Sequence, residues 1–489
     1  MTWQPTQLFR ASFQLSFFVV LSIALIVPPL EKVRQKLLAP DPLLPPELRP
    51  RWKRWLDWPI RVVTTSLATS VAAWLGSMPL IAYYFYMITP GSLLANLVIV
   101  PLSSLALMSS LGSLVCGGWC PFLTELFNHS SWLWMDLMIR LSAWFASLPG
   151  AYFNVRQPGW TGFVIYYALL TGLLSGYLLA PGRRVWSGMG VLLVLVVWLV
   201  RWEVERVKTV LTVLPVRAGV IFVDAPGSSE DLLIDCGDAA AGDSMVKPFL
   251  RSQGVNRMAG LLLTHGDLAH AGGTETITSR FGIRQILTGP ARARSPAYRQ
   301  LLDRLERTPG KCRIVQRGSQ LCGWNILHPK AQDRFARGDD GDLVLRRQFQ
   351  GTRVLFLSDL GRLGQRTLLE RETNLRADIL VAGLSNKDFV SDALLDAVQP
   401  RLLIIASAEY PVANRPSRQL RDRLDRRNTP IVYTSEAGAA IVRFGPKSWQ
   451  IKTMDGRHAQ AEALEAYVPQ NPASNEDSGG EEMRSEPDG

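Results

Sequence analysis

Apolar stretches crowd the first 200 residues of this chain, and they leave it few ways to fold. Residues 11–28, 61–86, 92–114, 131–148, 159–179 and 185–200 each run predominantly apolar, at or near the roughly 20 residues that carry a helix across a bilayer. Hydrocarbon offers no water to pair with backbone N–H and C=O groups, so such segments have to be helical. The expectation is a multi-pass α-helical membrane domain over residues 1–203, with about six helices. Only 19% of the 489 residues are charged, which is low for a soluble enzyme.

Charge then orients the spans. Lys32, Arg34, Lys36, Arg49, Arg51, Lys53 and Arg54 lie between the first and second, and Arg183 and Arg184 between the fifth and sixth. Basic loops stay in the cytoplasm. Six crossings satisfy both loops and place everything after Arg201 outside. If residues 131–148 lie in the interface instead, the later orientation inverts.

Two segments interrupt the apolar pattern. Gln14 and Ser16 sit in Phe13-Gln14-Leu15-Ser16-Phe17, and Asn96 lies between Pro79 and Pro101. Polar groups and broken helices inside a bilayer line a cavity or join helices by hydrogen bonds. The residues alone leave both readings open.

Past residue 204 the pattern becomes β-branched and alternating, as in 207–216 and 231–237. Leu261-Leu262-Leu263 reads as a buried strand that stops at Thr264, followed by His265, Asp267, His270 and the pair Gly272-Gly273. The chain has five histidines, so two flanking an aspartate at a strand end point to one small divalent cation. A polar loop with two ordinary histidines is the plainer alternative. Asp359 closes a second buried strand, as a further ligand or as a helix N-cap. Five cysteines show no CxxC spacing, which removes a zinc ribbon, while Cys312 and Cys322 would bridge if their strands pair. Arg415, Arg418, Arg421, Arg423, Arg426 and Arg427 crowd one helix and its approach. With a net charge of +11, they suit an anionic partner or make a solvated face paired with Asp422 and Asp425. A domain is expected over 204–450, then an acidic disordered tail over 451–489.

The His265–Gly273 stretch resembles the metallo-β-lactamase superfamily, whose loop reads His-x-[His or Asp]-x-Asp-His before two glycines. Phe13–Phe17 and the Ala95-Asn96-Leu97…Pro101 segment resemble the membrane domain of the ComEC-type competence family, in which a metallo-β-lactamase-like domain follows. The resemblance covers about residues 11–444 and implies an αββα sandwich for the soluble half. It also implies a channel passing single-stranded DNA across the inner (cytoplasmic) membrane, with other competence-machinery proteins and the lipid bilayer as partners. Asp359 then stands where the superfamily's metal-bridging aspartate does.

The chain departs from the pattern at several positions. Ala269 replaces the aspartate before the last histidine, Leu384 and Ser385 fill the later histidine pair, and Arg415 fills the His-Pro position. The family's N-terminal β-domain and further helices have no counterpart, so a fragment or a split gene is expected, with a separate chain supplying that part. What remains for a metal is His265, Asp267, His270 and Asp359, implying at most one zinc or manganese at low occupancy. The expectation is therefore a DNA-uptake membrane protein whose external domain leans away from catalysis. A membrane-anchored nuclease with a reduced one-metal site, and a transporter or scaffold unrelated to DNA, are the alternatives.

Overall fold

The computed structural model describes residues 5–38, 51–178, 182, 184–206, 208–217, 219–227, 230–290, 295–306, 311–384, 389–411, 415–446 and 448–462. Much of the basic segment between the first two spans, Arg183, Ser385 and the tail beyond 462 lie outside the described residues. The chain divides into two compact units. One is Met1–Glu205 with Ala239–Met258 and Thr274–Ile283, and the other is Arg206–Asp238 with Ala259–Gly273 and Arg284–Gly489.

The first unit is built on α1 (Ala11–Leu38), α2 (Arg51–Phe85), α3 (Ser92–Cys116), α4 (Pro121–Ser147), α5 (Trp160–Leu174) and α6 (Arg184–Arg206). Among the described residues, three helices are long and apolar enough to cross a membrane: Ala11–Val33, Trp58–Phe85 and Ser92–Cys116. The six helices α1–α6 are all present among the described residues, and three of them meet that length and composition. α4 carries Glu125, His129, Asp136 and Arg140. α5 has 15 residues, about 22 Å of helix against about 30 Å of hydrocarbon. The apolar part of α6, Ser187–Val200, is shorter still. The helices also run further into the basic segment than the sequence suggests, because α1 continues to Leu38 and α2 starts at Arg51.

Small residues and prolines shape this unit. A Cβ on Gly76 would lie 1.6 Å from Ser22 Oγ, so glycine is what lets α1 and α2 approach. Pro79 has no N–H to give the carbonyl of Leu75, four residues back in α2. Tyr166 Oη donates to that oxygen at 2.7 Å, and Tyr167 Oη donates to Gly76 O at 2.8 Å. The break in α2 is thus satisfied from α5. A short hairpin, β1 (Met87–Ile88) with β2 (Phe153–Asn154), is clasped to the turn at 253–256. Asn154 N donates to Asn256 Oδ1 at 2.7 Å, and Asn256 Nδ2 returns a bond to Asn154 O at 2.8 Å.

The second unit is a two-sheet sandwich. Its first sheet uses β3 (Val210–Val213), β4 (Ile221–Asp224), β5 (Leu232–Ile234), β6 (Arg257–Leu263), β7 (Gly282–Thr288) and β8 (Cys312–Ile314). The second is built from β9 (Gln320–Leu321), β10 (Trp324–His328), β11 (Val344–Phe349), β12 (Thr352–Phe356), β13 (Ile379–Gly383), β14 (Leu402–Ala406) and β15 (Ile431–Tyr433). β16 (Ala440–Gly445), β17 (Ser448–Thr453) and β18 (His458–Glu462) return to the first. The orders are β18-β17-β16-β3-β4-β5-β6-β7-β8 and β15-β14-β13-β12-β11-β10-β9.

Alternation along each strand sorts the two faces. Val354, Phe356, Ile379, Val381, Leu402 and Ile404 pack in one core with Leu211, Val223, Ile234 and Leu262 of the other sheet. Leu355, Leu380, Leu403 and Ile405 point the opposite way, onto Leu368, Leu394 and Leu424 of the helices Arg362–Arg371, Asp392–Val398 and Arg418–Asp425. Strands covered on both faces read as unbroken apolar runs, which is why these were visible in the sequence.

Two expectations change here. β8 and β9 belong to different sheets, and Cys312 and Cys322 are both free thiols, so the conditional bridge does not form. The boundary at 450 also moves. Trp449, Ile451 and Thr453 alternate inward along β17, and β18 pairs with it as far as Glu462.

Candidate functional site

β6 buries Leu261, Leu262 and Leu263 completely and delivers Thr264 to a cluster of acids. Asp235, just past β5, holds a left-handed backbone with φ of 59°. Its Oδ1 accepts from Thr264 N at 2.8 Å and its Oδ2 from Thr264 Oγ1 at 2.5 Å. Ser358 Oγ lies 2.8 Å from the same hydroxyl. This chain of bonds fixes the turn that aims His265.

Asp267 caps the short helix Leu268–Ala271, accepting from His270 N at 3.0 Å. The same oxygen accepts from His270 Nδ1 at 2.6 Å. His265 Nδ1 is hydrogen-bonded to Asp342 Oδ1, and its Nε2 lies 3.8 Å from Asp339 Oδ1. The two rings stand 5.2 Å apart. His270 Nε2 faces Asp359 Oδ2 at 3.8 Å. His270 Nε2, Asp359 Oδ1 and Asp342 Oδ2 are buried without a hydrogen-bond partner.

Burial and pairing set the charges. Burial alone would hold the His265 ring neutral, but Asp342, by charge and hydrogen bond together, raises its pKa to about 9. Burial is likewise overcome at His270 by Asp267, Asp235 and Asp359, which lift it to about 10. Burial raises Asp235 to about 7 and Asp359 to about 6, with His270 opposing in both cases. Burial works against the Asp267 carboxylate, yet its bond to His270 holds it well below the usual range.

The four expected ligands come together, but not around a common point. Among the described residues no three His, Cys, Asp or Glu side chains are placed to hold a metal ion. A carboxylate on Nδ1 leaves Nε2 of each ring as the ligand atom, but the facing pair His270 Nε2 and Asp359 Oδ2 offers two donors where a closed site needs about four. A resident metal does not fit these residues as placed, and no chemistry is derived through one. Asp359 lies in the turn beyond β12 and is not the helix cap. Asp340 takes that role for Arg362–Arg371, its Oδ1 accepting from Leu363 N at 3.0 Å and Gly364 N at 3.2 Å.

A cavity of about 570 Å³ opens before the cluster, with His265, Asp267, Tyr298, Arg334, Phe335 and Asp342 among its walls. On the basic helix, Arg421 pairs with Glu436 at 2.5 Å and Arg427 with Asp392 and Asp396. Arg415 lies 3.7 Å from Glu409. Arg418 and Arg426 are exposed.

In the membrane unit, a cavity of about 1160 Å³ is walled by Phe13, Gln14, Tyr84, Trp160, Phe163 and Tyr167, among others. Gln14 Oε1 accepts from Tyr84 Oη at 2.8 Å. Of the three channel candidates only Gln14 lines it. Ser16 is exposed and Asn96 is half-buried on α3. Sequence reasoning missed the aromatic wall, although 160, 163 and 167 fall at helical spacing. It also assigned no role to Asp235 or Asp342, although Asp235 follows the apolar run Leu232–Ile234 much as Thr264 follows Leu261–Leu263.

Residues 1–180 match the family described as Competence protein, and residues 211–350 match the Metallo-beta-lactamase superfamily. ComE operon protein 3 of Bacillus subtilis (strain 168) is 22% identical over 471 residues, covering 90% of this chain and 56% of that protein. Competence protein ComA of Neisseria gonorrhoeae is 25% identical over 389 residues, covering 78% and 52%. The chain thus spans about half the length of the curated relatives it matches. A crystal structure of a metallo-beta-lactamase from Hirschia baltica shares 18% identity over 29% of this chain and 59% of that one. Its TM-score of 0.18 carries no argument.

Proposed function

The chain joins a Competence-type membrane region to a metallo-β-lactamase superfamily domain, and from that premise we propose that it takes part in DNA uptake, passing single-stranded DNA across the inner membrane. The observation that carries this is the succession of the two family matches along the chain, with alignment over most of its length to ComE operon protein 3 and Competence protein ComA. The aromatic cavity supports it. Base faces stack on aromatic rings whatever the sequence, at about 1–3 kcal/mol per base, and Gln14 adds an amide to a wall otherwise poor in polar groups.

The soluble unit is proposed to be external and non-hydrolytic. External placement requires an odd number of crossings after α3, because the basic segment between α1 and α2 belongs inside. The donor geometry supports non-hydrolytic behaviour, since metal-assisted phosphodiester cleavage needs an open coordination position on a held cation. Any DNA contact on the basic helix falls first to Arg418, with Arg415 and Arg421 drawn to Glu409 and Glu436. Other competence proteins are the proposed partners.

Deleting the coding sequence in its host and following labelled DNA tests this reading. Label should bind the cell but no longer reach the cytoplasm, and resupplying the chain should restore entry. Undiminished entry after deletion would contradict the proposal. Metal-dependent degradation of single-stranded DNA by the purified chain would instead favour a membrane-anchored nuclease.

A further inference from the structure

The second unit's histidine–aspartate cluster has a different use from the one its ancestry suggests. We propose that it is a metal-independent clamp, in which Asp342 holds His265 and ties the loop after β6 to the 338–342 loop, while Asp267 holds His270 within its own turn. The inference deepens the non-hydrolytic reading above and rests on it.

The geometry carries this at Nδ1 of each ring. Nδ1 of His265 is bonded to Asp342 and Nδ1 of His270 to Asp267. The outer edge of His265 is closed by the loop before Asp339, because a Cβ on Gly338 would lie 2.9 Å from His265 Cε1. His270 Nε2 meets Asp359, whose carboxylate is seated against β13. A Cβ on Gly383 would be 1.9 Å from its Oδ1, so only glycine leaves room for it.

The loop that brings Asp342 is itself pinned. His328, buried at the end of β10, bonds through Nε2 to Asp340 O at 2.8 Å. Asp340 holds the first amides of the helix Arg362–Arg371. Asp342 is therefore placed by contacts that have nothing to do with a cation, and its side chain is 0% exposed. Side chains join the ends of β5, β6 and β12 to the 338–342 loop, beside the backbone bonds of Leu343 N to Thr264 O at 3.2 Å and Gly361 N to Asp339 O at 3.0 Å. Ala269 is thus only part of the departure from the family: each ring is also tied to a carboxylate through Nδ1.

The test uses the full chain in detergent micelles. Zinc and manganese content after saturation and dialysis should stay far below one metal per chain, both for the native chain and for Ala269→Asp. Hydrogen exchange over residues 262–272 and 338–343 should be unchanged by a chelator. Asp342→Asn and His265→Gln should each speed exchange in both segments by about tenfold or more. The double variant should be no faster than the faster single one, since the two act on one bond. Asp267→Asn should loosen 262–272 in the same way if the first pair proves too damaging to study. Stoichiometric metal in either form, chelator-induced loss of protection, or additive effects in the double variant would overturn the clamp. The loss of DNA entry on deletion would stand whichever way this result fell.

Discussion

The two units of this chain solve one problem with opposite faces. The membrane unit turns its apolar side chains outward, as Leu107, Leu114 and Val115 of α3 show, each more than half exposed. Two of its inner polar groups are met singly: Tyr166 answers the carbonyl that Pro79 frees, and Tyr84 answers Gln14. The sandwich hides its apolar side chains and also hides charge, pairing buried Asp342 with His265 and buried His270 with Asp267. Where the surroundings are hydrocarbon, one neutral hydrogen bond per polar group is enough. Where they are water, charge can be buried only if it is matched.

The sharpest way to break this contrast is to place the same substitution in both settings. Leu107→Asp on α3 should cost about 2.5–3.5 kcal/mol of insertion, read as a fall in membrane-integrated protein. Leu363→Asp, at a site 47% exposed in the sandwich, should change stability by no more than about 0.5 kcal/mol. Equal effects would mean that α3 does not face lipid.

A smaller effect concerns the buried charges. His265 and His270 are raised from 6.5 to about 9 and about 10, so the folded state holds protons that the unfolded chain releases. Their contribution is complete below about pH 6.5 and is lost as pH rises through 9 to 10. Asp235 and Asp359, raised to about 7 and about 6, act in the same direction between pH 4 and 7. The denaturant midpoint of the sandwich should therefore be lower at pH 10 than at pH 7. A midpoint that rises over this interval would show that the rings are neutral and the carboxylates unmatched.

The smallest effect lies in the membrane unit. Tyr166→Phe strips the donor from Leu75 O and should cost about 0.6 kcal/mol, as single hydrogen bonds between membrane helices do. Thermal denaturation in micelles would register it as a shift of a degree or two. A larger shift would make the break at Pro79 more costly than this arrangement allows.

What the sequence disclosed follows the same physics. Strands buried on both faces, such as Leu402–Ala406, announce themselves as unbroken apolar runs. The His265–His270 loop announced its polar residues at a strand end, because its members are neighbours in the chain. Asp342 lies 77 residues from His265, and no local pattern predicts that it claims that ring. Beyond α3 the apolar windows are shorter or carry charge, as α5 and α4 do. β17 and β18 were given to the tail because short alternating strands among polar residues resemble unstructured sequence until they are paired.

The account's central claim is that DNA in transit meets the aromatic, Gln14-lined side of the membrane unit. A photo-reactive amino acid placed at position 14 in one strain and at position 107 in another, illuminated during entry of labelled DNA, tests it most directly. The account predicts a labelled adduct at 14 and none at 107. An adduct at 107 alone, or none at 14 while DNA still enters, would contradict it.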